Sequence, residues 1–251
     1  KRAIIIEVSP DNLGIYEVQN SNALLCSNHF QSDALKNDSR NIDQIENSHS
    51  KYRYDRFVEL MSKTPNVGAI EAAAILRNKE GLNEIPLGYG NEKALNQLLA
   101  HHGIIFKPED LLVWVSANPY QMGEFVCYDL NKVFNNPHSS QSLQETNLNI
   151  PKDPFIETQA YENYEAYRVE DRKMDVFIEN NSGLTPDFVK KYQSLNSDFW
   201  IVYYKAGLYY YKQKNYAAAR SEFEKTLSKE ITTLPAKERI EKYLRKIKRK
   251  E

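Results

Sequence analysis

Ala3-Ile4-Ile5-Ile6-Glu7-Val8, Leu13-Gly14-Ile15-Tyr16-Glu17-Val18 and Ala23-Leu24-Leu25-Cys26 follow one another with only Ser9-Pro10-Asp11-Asn12 and Gln19-Asn20-Ser21-Asn22 between them. β-Branched or alternating runs separated by clusters of turn formers predict a meander of three strands. A second set of the same kind runs through Ala100 to Phe106, Leu111 to Ser116 and Glu124 to Tyr128, with Lys107-Pro108-Glu109-Asp110 as a turn. Between the two sets, the polar and aperiodic stretch from Ser32 to Ser50 reads as a loop. Two helical segments follow it. Tyr52 to Met61 carries Phe57, Leu60 and Met61 at helical spacing, and Val67 to Leu76 is entered through Pro65. Strands first and helices afterwards predict an α+β chain. Its β-rich part spans 1–134. A linker or long surface loop, dense in Asn, Ser, Gln and Pro, spans 135–154, and an all-α part spans 155–251.

Within the all-α part, Gly207 and Tyr210, then Tyr216, then Ala219 and Phe223 stand at the spacing of one tetratricopeptide-type repeat, which the segment over about 199–230 resembles. Ala206, Thr226 and Ile231 depart from that pattern, and no second good copy is found, so a single hairpin is expected. Ile240, Tyr243, Leu244 and Ile247 on one stripe predict a helix over the hairpin's open face. From Ala236 to Glu251 eight Lys/Arg stand against three Glu, the one charge-biased stretch of the chain. It reads as a solvated helix face with a basic tail, not as a nucleic-acid or anionic-membrane patch. The aromatic density at Phe199, Trp200, Tyr203, Tyr204, Tyr209, Tyr210 and Tyr211 leaves a second function class open: a non-enzymatic module whose hairpin docks a partner helix or peptide. Otherwise these rings fill the contact with the β-rich part.

A chain of 251 residues can hide roughly 70–75% of the surface it exposes when unfolded, so a sizeable core needs no disulfides. With 41% hydrophobic residues, 27% charged residues and a formal net charge of -1, composition excludes a polyanion binder and a disordered acidic tail. No apolar run approaches the ~18 residues of a membrane span. The sequence begins Lys1-Arg2 and enters a strand pattern at once, with neither an initiator Met nor a signal-peptide core, as a fragment or processed product would. Cys26 and Cys127 lie on apolar, strand-like segments and are expected to be buried structural thiols; they leave the compartment open.

Chemistry-bearing patterns are sparse. There is no Gly-rich phosphate loop, no His pair at metal-ligand spacing and no Gly-x-Ser-x-Gly elbow. Neighbouring residues of a strand face opposite ways, so His101 and His102 cannot share a metal, although one of them can face a site. Asn28 and His29, at a predicted strand end, are better placed, because strand termini open to solvent. Arg53 and Arg56, three apart on a helix, suit a loop anchor.

At Cys26-Ser27-Asn28-His29-Phe30-Gln31 the sequence resembles the acyl-CoA:isopenicillin-N acyltransferase family of cysteine N-terminal-nucleophile hydrolases. The likeness is an ordered series: Ile6 to Pro10, a hairpin, Ser27-Asn28-His29, the Ser50-x-x-Arg53-x-x-Arg56 helix, and the strands from Gly103 to Tyr128. It covers roughly residues 1–130 and only the C-terminal half of that catalytic domain. The resemblance implies part of a four-layer αββα sandwich, with no cofactor and no metal. It also implies a cysteine freed at a new N-terminus by self-cleavage, which attacks an amide or thioester carbonyl with the free α-amine as base. Asn28 is then the oxyanion donor. His29, Gln97 and His101 are possible pocket residues, and Arg53 and Arg56 support the Asn28 loop. Residue 1 is Lys and Cys26 is internal, so the nucleophile is expected on an upstream chain or segment of the same precursor, and this chain alone is expected to be inactive. Gln97 stands where the penicillin-forming member carries a site arginine; an uncharged side chain cannot make that anion contact, so a penicillin substrate is not implied. The expected substrate is a small acyl-amide or acyl-thioester.

Overall fold

The structure, a computed structural model, describes residues 3–18, 23–135 and 142–250. It is mixed α and β, about 50% helix and 10% strand. Strands β1 (Ile5–Val8) and β2 (Leu13–Tyr16) form an antiparallel hairpin with Ile6 opposite Ile15 and Val8 opposite Leu13. The third strand expected at Ala23 to Cys26 does not form; that segment is irregular, and the chain before it, 19–22, lies outside the described residues. Its polar groups are satisfied by side chains instead of a ladder, as in the bond from Gln31 Nε2 to the Leu25 carbonyl, 2.9 Å.

Helix α1 (Ser39–Asn47) occupies the stretch expected to be a loop. Its sequence is poor in apolar residues, but Asp38 caps it by accepting from the Arg40 and Asn41 amides, and the buried Asn41 ties it to the preceding chain. The expected helical segments appear as α2 (Ser50–Lys63) and α3 (Ala69–Leu76), with the Glu71 carboxylate accepting from the Gly68 amide at the start of α3. Strands β3 (Ile104–Lys107), β4 (Leu112–Ser116) and β5 (Phe125–Asp129) make the second antiparallel sheet in that order. On one face Ile105, Trp114, Phe125 and Cys127 are buried beneath the small residues Ala69, Ala72 and Ala73 of α3. β3 is shorter than the sequence suggests. Leu98, at φ 51 with its amide on the Asn96 side chain, turns the chain before His101, and pairing begins only at Ile104.

After α4 (Leu130–Asn135), the described part of the connection, 142–154, is held against the second sheet and does not hang free. Ile150 exchanges both backbone bonds with Phe125 and is buried in that core. The buried Arg77 donates to the Gly123 and Pro151 carbonyls at 2.7 and 2.9 Å, so one guanidinium clamps two loops.

The all-α part contains α5 (Gln159–Asn180), α6 (Pro186–Leu195), α7 (Trp200–Lys212), α8 (Tyr216–Leu227) and α9 (Leu234–Lys248). Thr158, Thr185, Asn215 and Thr233 cap α5, α6, α8 and α9 through side-chain oxygens. Helices α7 and α8 pack against each other as a hairpin. A Cβ on Gly207 would lie 2.7 Å from the Phe223 ring, so only glycine lets the two helices approach this closely. Tyr243 of α9 stacks on Phe223 with centroids 5.2 Å apart, and Ile240 and Ile247 are fully buried. The aromatic residues expected to be in surplus are largely used within the protein. Tyr204 lies between Trp200 and Phe223, the Tyr209 hydroxyl accepts from the Leu184 amide, and Tyr211 meets Tyr216 and Tyr243 edge-on.

The β-rich and helical parts share a core. Leu98 and Met122 are buried among the aromatic residues of α5 and α7. The Asn196 side chain bonds both the amide and the carbonyl of Tyr89, at 3.0 and 2.8 Å. The Tyr164 hydroxyl donates to the Leu98 carbonyl, and the Asn91 amide to that of Glu230. Gly88, at φ +76, allows its loop to pass against the Phe199 backbone, 2.3 Å from where a Cβ would sit.

Candidate functional site

The segment from Ser27 to Ser32 is anchored on three sides. From β1, the buried Glu7 accepts the Gln31 and Ser32 amides at 2.7 and 2.9 Å, one on each carboxylate oxygen. From α1, Asn41 accepts the Phe30 amide at 2.7 Å and donates to the Phe30 and Lys36 carbonyls, both at 3.1 Å. From α2, Ser50 accepts from the Ser27 hydroxyl at its carbonyl, 3.0 Å, and its own hydroxyl meets His29 Nδ1 at 2.8 Å. The His29 ring lies edge-on to Tyr54, 5.5 Å between centroids.

Asn28 sits at the exposed apex. Its Oδ1 accepts from the Arg53 guanidinium at 2.5 Å. A guanidinium only donates, so this bond fixes which way the amide lies and leaves the Nδ2 hydrogens free of the arginine. The apex opens on a cleft of 390 Å³ between β1 and α1 whose walls are mostly apolar, including Ile6, Val8 and Phe30. Cys26 lines the same cleft and is exposed, contrary to the expectation of a buried thiol; an irregular segment, unlike a paired strand, leaves its side chain outside the core. Cys127 is buried as expected, and burial raises its thiol pKa.

The remaining predicted site residues separate from this group. Arg56 is fully buried and does not reach the Asn28 loop. It makes a bidentate pair with Glu84 at 3.0 and 2.8 Å and bonds Glu59 and Asn78, joining α2 to the turn at 82–84. Its spacing from Arg53 is helical, but one turn further along α2 a different loop lies opposite. Gln97 donates to the Glu92 carbonyl and His101 is exposed beside His102, their ring centroids 6.5 Å apart; neither lines the cleft. Of the three proposed pocket residues, His29 alone does. Two holding groups, Glu7 and Asn41, were not singled out from the sequence. Glu7 is legible as the one charge in an otherwise apolar strand, whereas Asn41 sits in a stretch without periodicity and carries no signal. Among the described residues no group of three or more His, Cys, Asp or Glu could hold a metal ion, and no helix is long and apolar enough to cross a membrane.

Burial presses the Glu7 carboxyl toward its neutral form, but hydrogen bonds from Ser32 and Gln31 to the ionised form leave it below the usual carboxylate range. His29 is held below the ordinary histidine range by burial first and by Lys51 second, with Asp55 and Glu7 opposing. Both shifts act in the same direction. For Glu7 the folded value lies below the unfolded ~4.3, so its contribution is complete above that pH and lost as pH falls through the folded value. For His29 the unfolded chain takes up a proton first, so stability falls as pH drops from ~6.5 through the folded value. The midpoint of urea unfolding is therefore expected to fall from neutral pH toward acid, and to fall less steeply over the histidine range in His29→Phe. An unchanged slope in that variant rejects the assignment to His29.

Comparison with protein-family models, with curated proteins and with solved structures finds no match.

Proposed function

We propose that this chain is the C-terminal part of a cysteine N-terminal-nucleophile amide hydrolase or acyltransferase, with Asn28 as its oxyanion donor and the nucleophilic cysteine on an upstream segment. The observation that carries the reading is the Arg53–Asn28 bond beside an apolar cleft. A neutral amide, held by its oxygen and free at its nitrogen, suits a charge that exists only in the transition state, because it needs no reorganisation when that charge develops. The thiolate adds to the carbonyl carbon of an acyl-amide or acyl-thioester, and the carbonyl oxygen becomes the oxyanion that the Asn28 Nδ2 hydrogens receive. Collapse of the tetrahedral adduct expels a protonated amine or a thiol and leaves a thioester on the cysteine. Water or an amine then attacks that thioester and restores the thiol.

The sheet surfaces agree with a larger sandwich. Ile6, Val8, Leu13 and Ile15 lie on one face of the β1–β2 hairpin at 58 to 65% exposure, and Ile104 and Phe106 of β3 are exposed at 51 and 63%. In a four-layer αββα arrangement such faces are covered by the facing sheet, and large exposed apolar patches otherwise mark interaction surfaces. The closer likeness to the acyl-CoA:isopenicillin-N acyltransferase family rests on the ordered motifs alone.

Mass spectrometry of the protein made from its full gene tests the proposal. A second chain beginning with Cys, labelled by iodoacetamide with loss of amide turnover, is the expected result. A gene with no upstream Cys that becomes N-terminal rejects it.

Arg53 acts on this site as a positioning residue. Arg53→Ala is expected to lower kcat about tenfold or more, the worth of a charge-assisted hydrogen bond, with KM and the unfolding midpoint nearly unchanged. Arg53→Lys, which can still donate to Oδ1, recovers part of the loss. A rise in KM at constant kcat would assign Arg53 to substrate binding instead.

A further inference from the structure

A second cleft, of 780 Å³, is used neither by Asn28 nor by the helical core. Tyr16 and Val18 of the hairpin, Leu25, Val58 and Met61 of α2, and Val67 below α2 supply its apolar walls. It shares no lining residue with the Asn28 cleft, although Leu25 and Cys26 are adjacent and fall on opposite sides of the same segment. Among the described residues, none that lines it can become a carboxylate, an ammonium or an imidazolium, in a chain that is 27% charged. Of the charges that adjoin lining positions in sequence, Lys63 pairs with Glu59 and Glu84 at 2.7 and 3.1 Å and Asp55 pairs with Lys51 at 2.5 Å, while Glu17 is not among the described lining residues. Polar groups are present but neutral. The Tyr16 and Tyr54 hydroxyls interact, and the Ser62 hydroxyl and the Asn66 amide complete the lining. Neutral polar and apolar groups share its surface about equally, and its volume lies within the roughly 300–1,000 Å³ of small-molecule sites.

We propose that the cleft between the β1–β2 hairpin and α2 is a binding site for an uncharged small molecule with an aliphatic or aromatic body and a hydroxyl or primary amide head. Charged analogues are excluded because no lining group can pair with the charge that burial would strip of water. The site stands whether or not Asn28 turns over an amide.

The test uses the protein made from its full gene, with the uncharged dye N-phenyl-1-naphthylamine as probe and decanamide, decanoate and decylamine as competitors at neutral pH. Saturable one-to-one dye binding is expected, displaced by decanamide, with the two ionised competitors weaker by about tenfold or more. Val58→Glu and Val67→Arg, both at positions exposed in the free protein, are expected to weaken the dye about tenfold or more, and Ile70→Glu, on an exposed apolar residue outside the cleft, to leave it unchanged. Non-saturable binding, equal displacement by decanoate or decylamine, or dye affinity that survives both cleft variants overturns the proposal.

Discussion

Asn28→Ala, in the complete protein with its upstream segment, is expected to lower amide turnover by ~10²–10³, the usual cost of removing one oxyanion donor. Folding should be unaffected. Asn28 is exposed, among the described residues its side chain bonds Arg53 alone, and the anchors of its loop are Glu7, Asn41 and Ser50. Asn28→Asp separates an electrostatic role from a steric one. The carboxylate keeps the Arg53 bond and nearly the same volume, but it has no hydrogen to donate and places negative charge where the oxyanion forms, so turnover is expected to fall at least as far as in the alanine variant. Single-turnover kinetics with an acyl-amide substrate reads both, and thermal unfolding controls for structure. Full activity in either variant removes Asn28 from the reaction and with it the main support for the proposed function.

Phe223→Ala is expected to cost about 3–5 kcal/mol. The ring is completely buried between Gly207, Tyr204 and Tyr243. Its neighbours are themselves held, Gly207 in mid-helix and Tyr243 by stacking, so the cavity cannot collapse at little cost. For a chain of this size the loss corresponds to a fall in Tm of roughly 6–20 °C, read by calorimetry. Phe223→Leu keeps most of the volume and is expected to cost less than half as much. A Tm within two or three degrees of the parent in the alanine variant would mean that α7 and α8 do not interlock at Gly207.

The order of strands and helices could be read from the sequence because it is carried by apolar periodicity, which acts locally. The second sheet, the α7–α8 hairpin and its covering helix α9 all follow from spacing. Two features were not legible, for related reasons. Helix α1 forms from a polar stretch because a long-range group, Asn41, bonds the backbone of Phe30 across eleven positions, and no window along α1 contains that information. The segment at Ala23 to Cys26 has the pattern of a strand, yet pairing needs a neighbour in register, and β1 and β2 pair only with each other among the described residues. At the candidate site, the sequence pointed to Asn28, His29 and Arg53, which the structure brings together. It also pointed to Arg56, Gln97 and His101, which the structure places elsewhere, because helix spacing and position along the chain say nothing about which loop a side chain meets.

The way Leu98 and Met122 are enclosed by α5 and α7 bears on how the chain comes apart. Both apolar side chains belong to the β-rich part, yet they are buried in one cluster with aromatic residues of helices far along the chain. Detaching the helices would therefore wet part of the core of what remained. The loop at Tyr89, fastened by Asn196, would lose its footing in the same event, whereas the Arg77 clamp on Gly123 and Pro151 lies wholly outside the helices. Local opening is thus confined to places outside this shared core, such as the Asn28 apex and the hairpin. The helical layer behaves as a structural debt of the β-rich part, not as an appended module that could be gained or shed on its own.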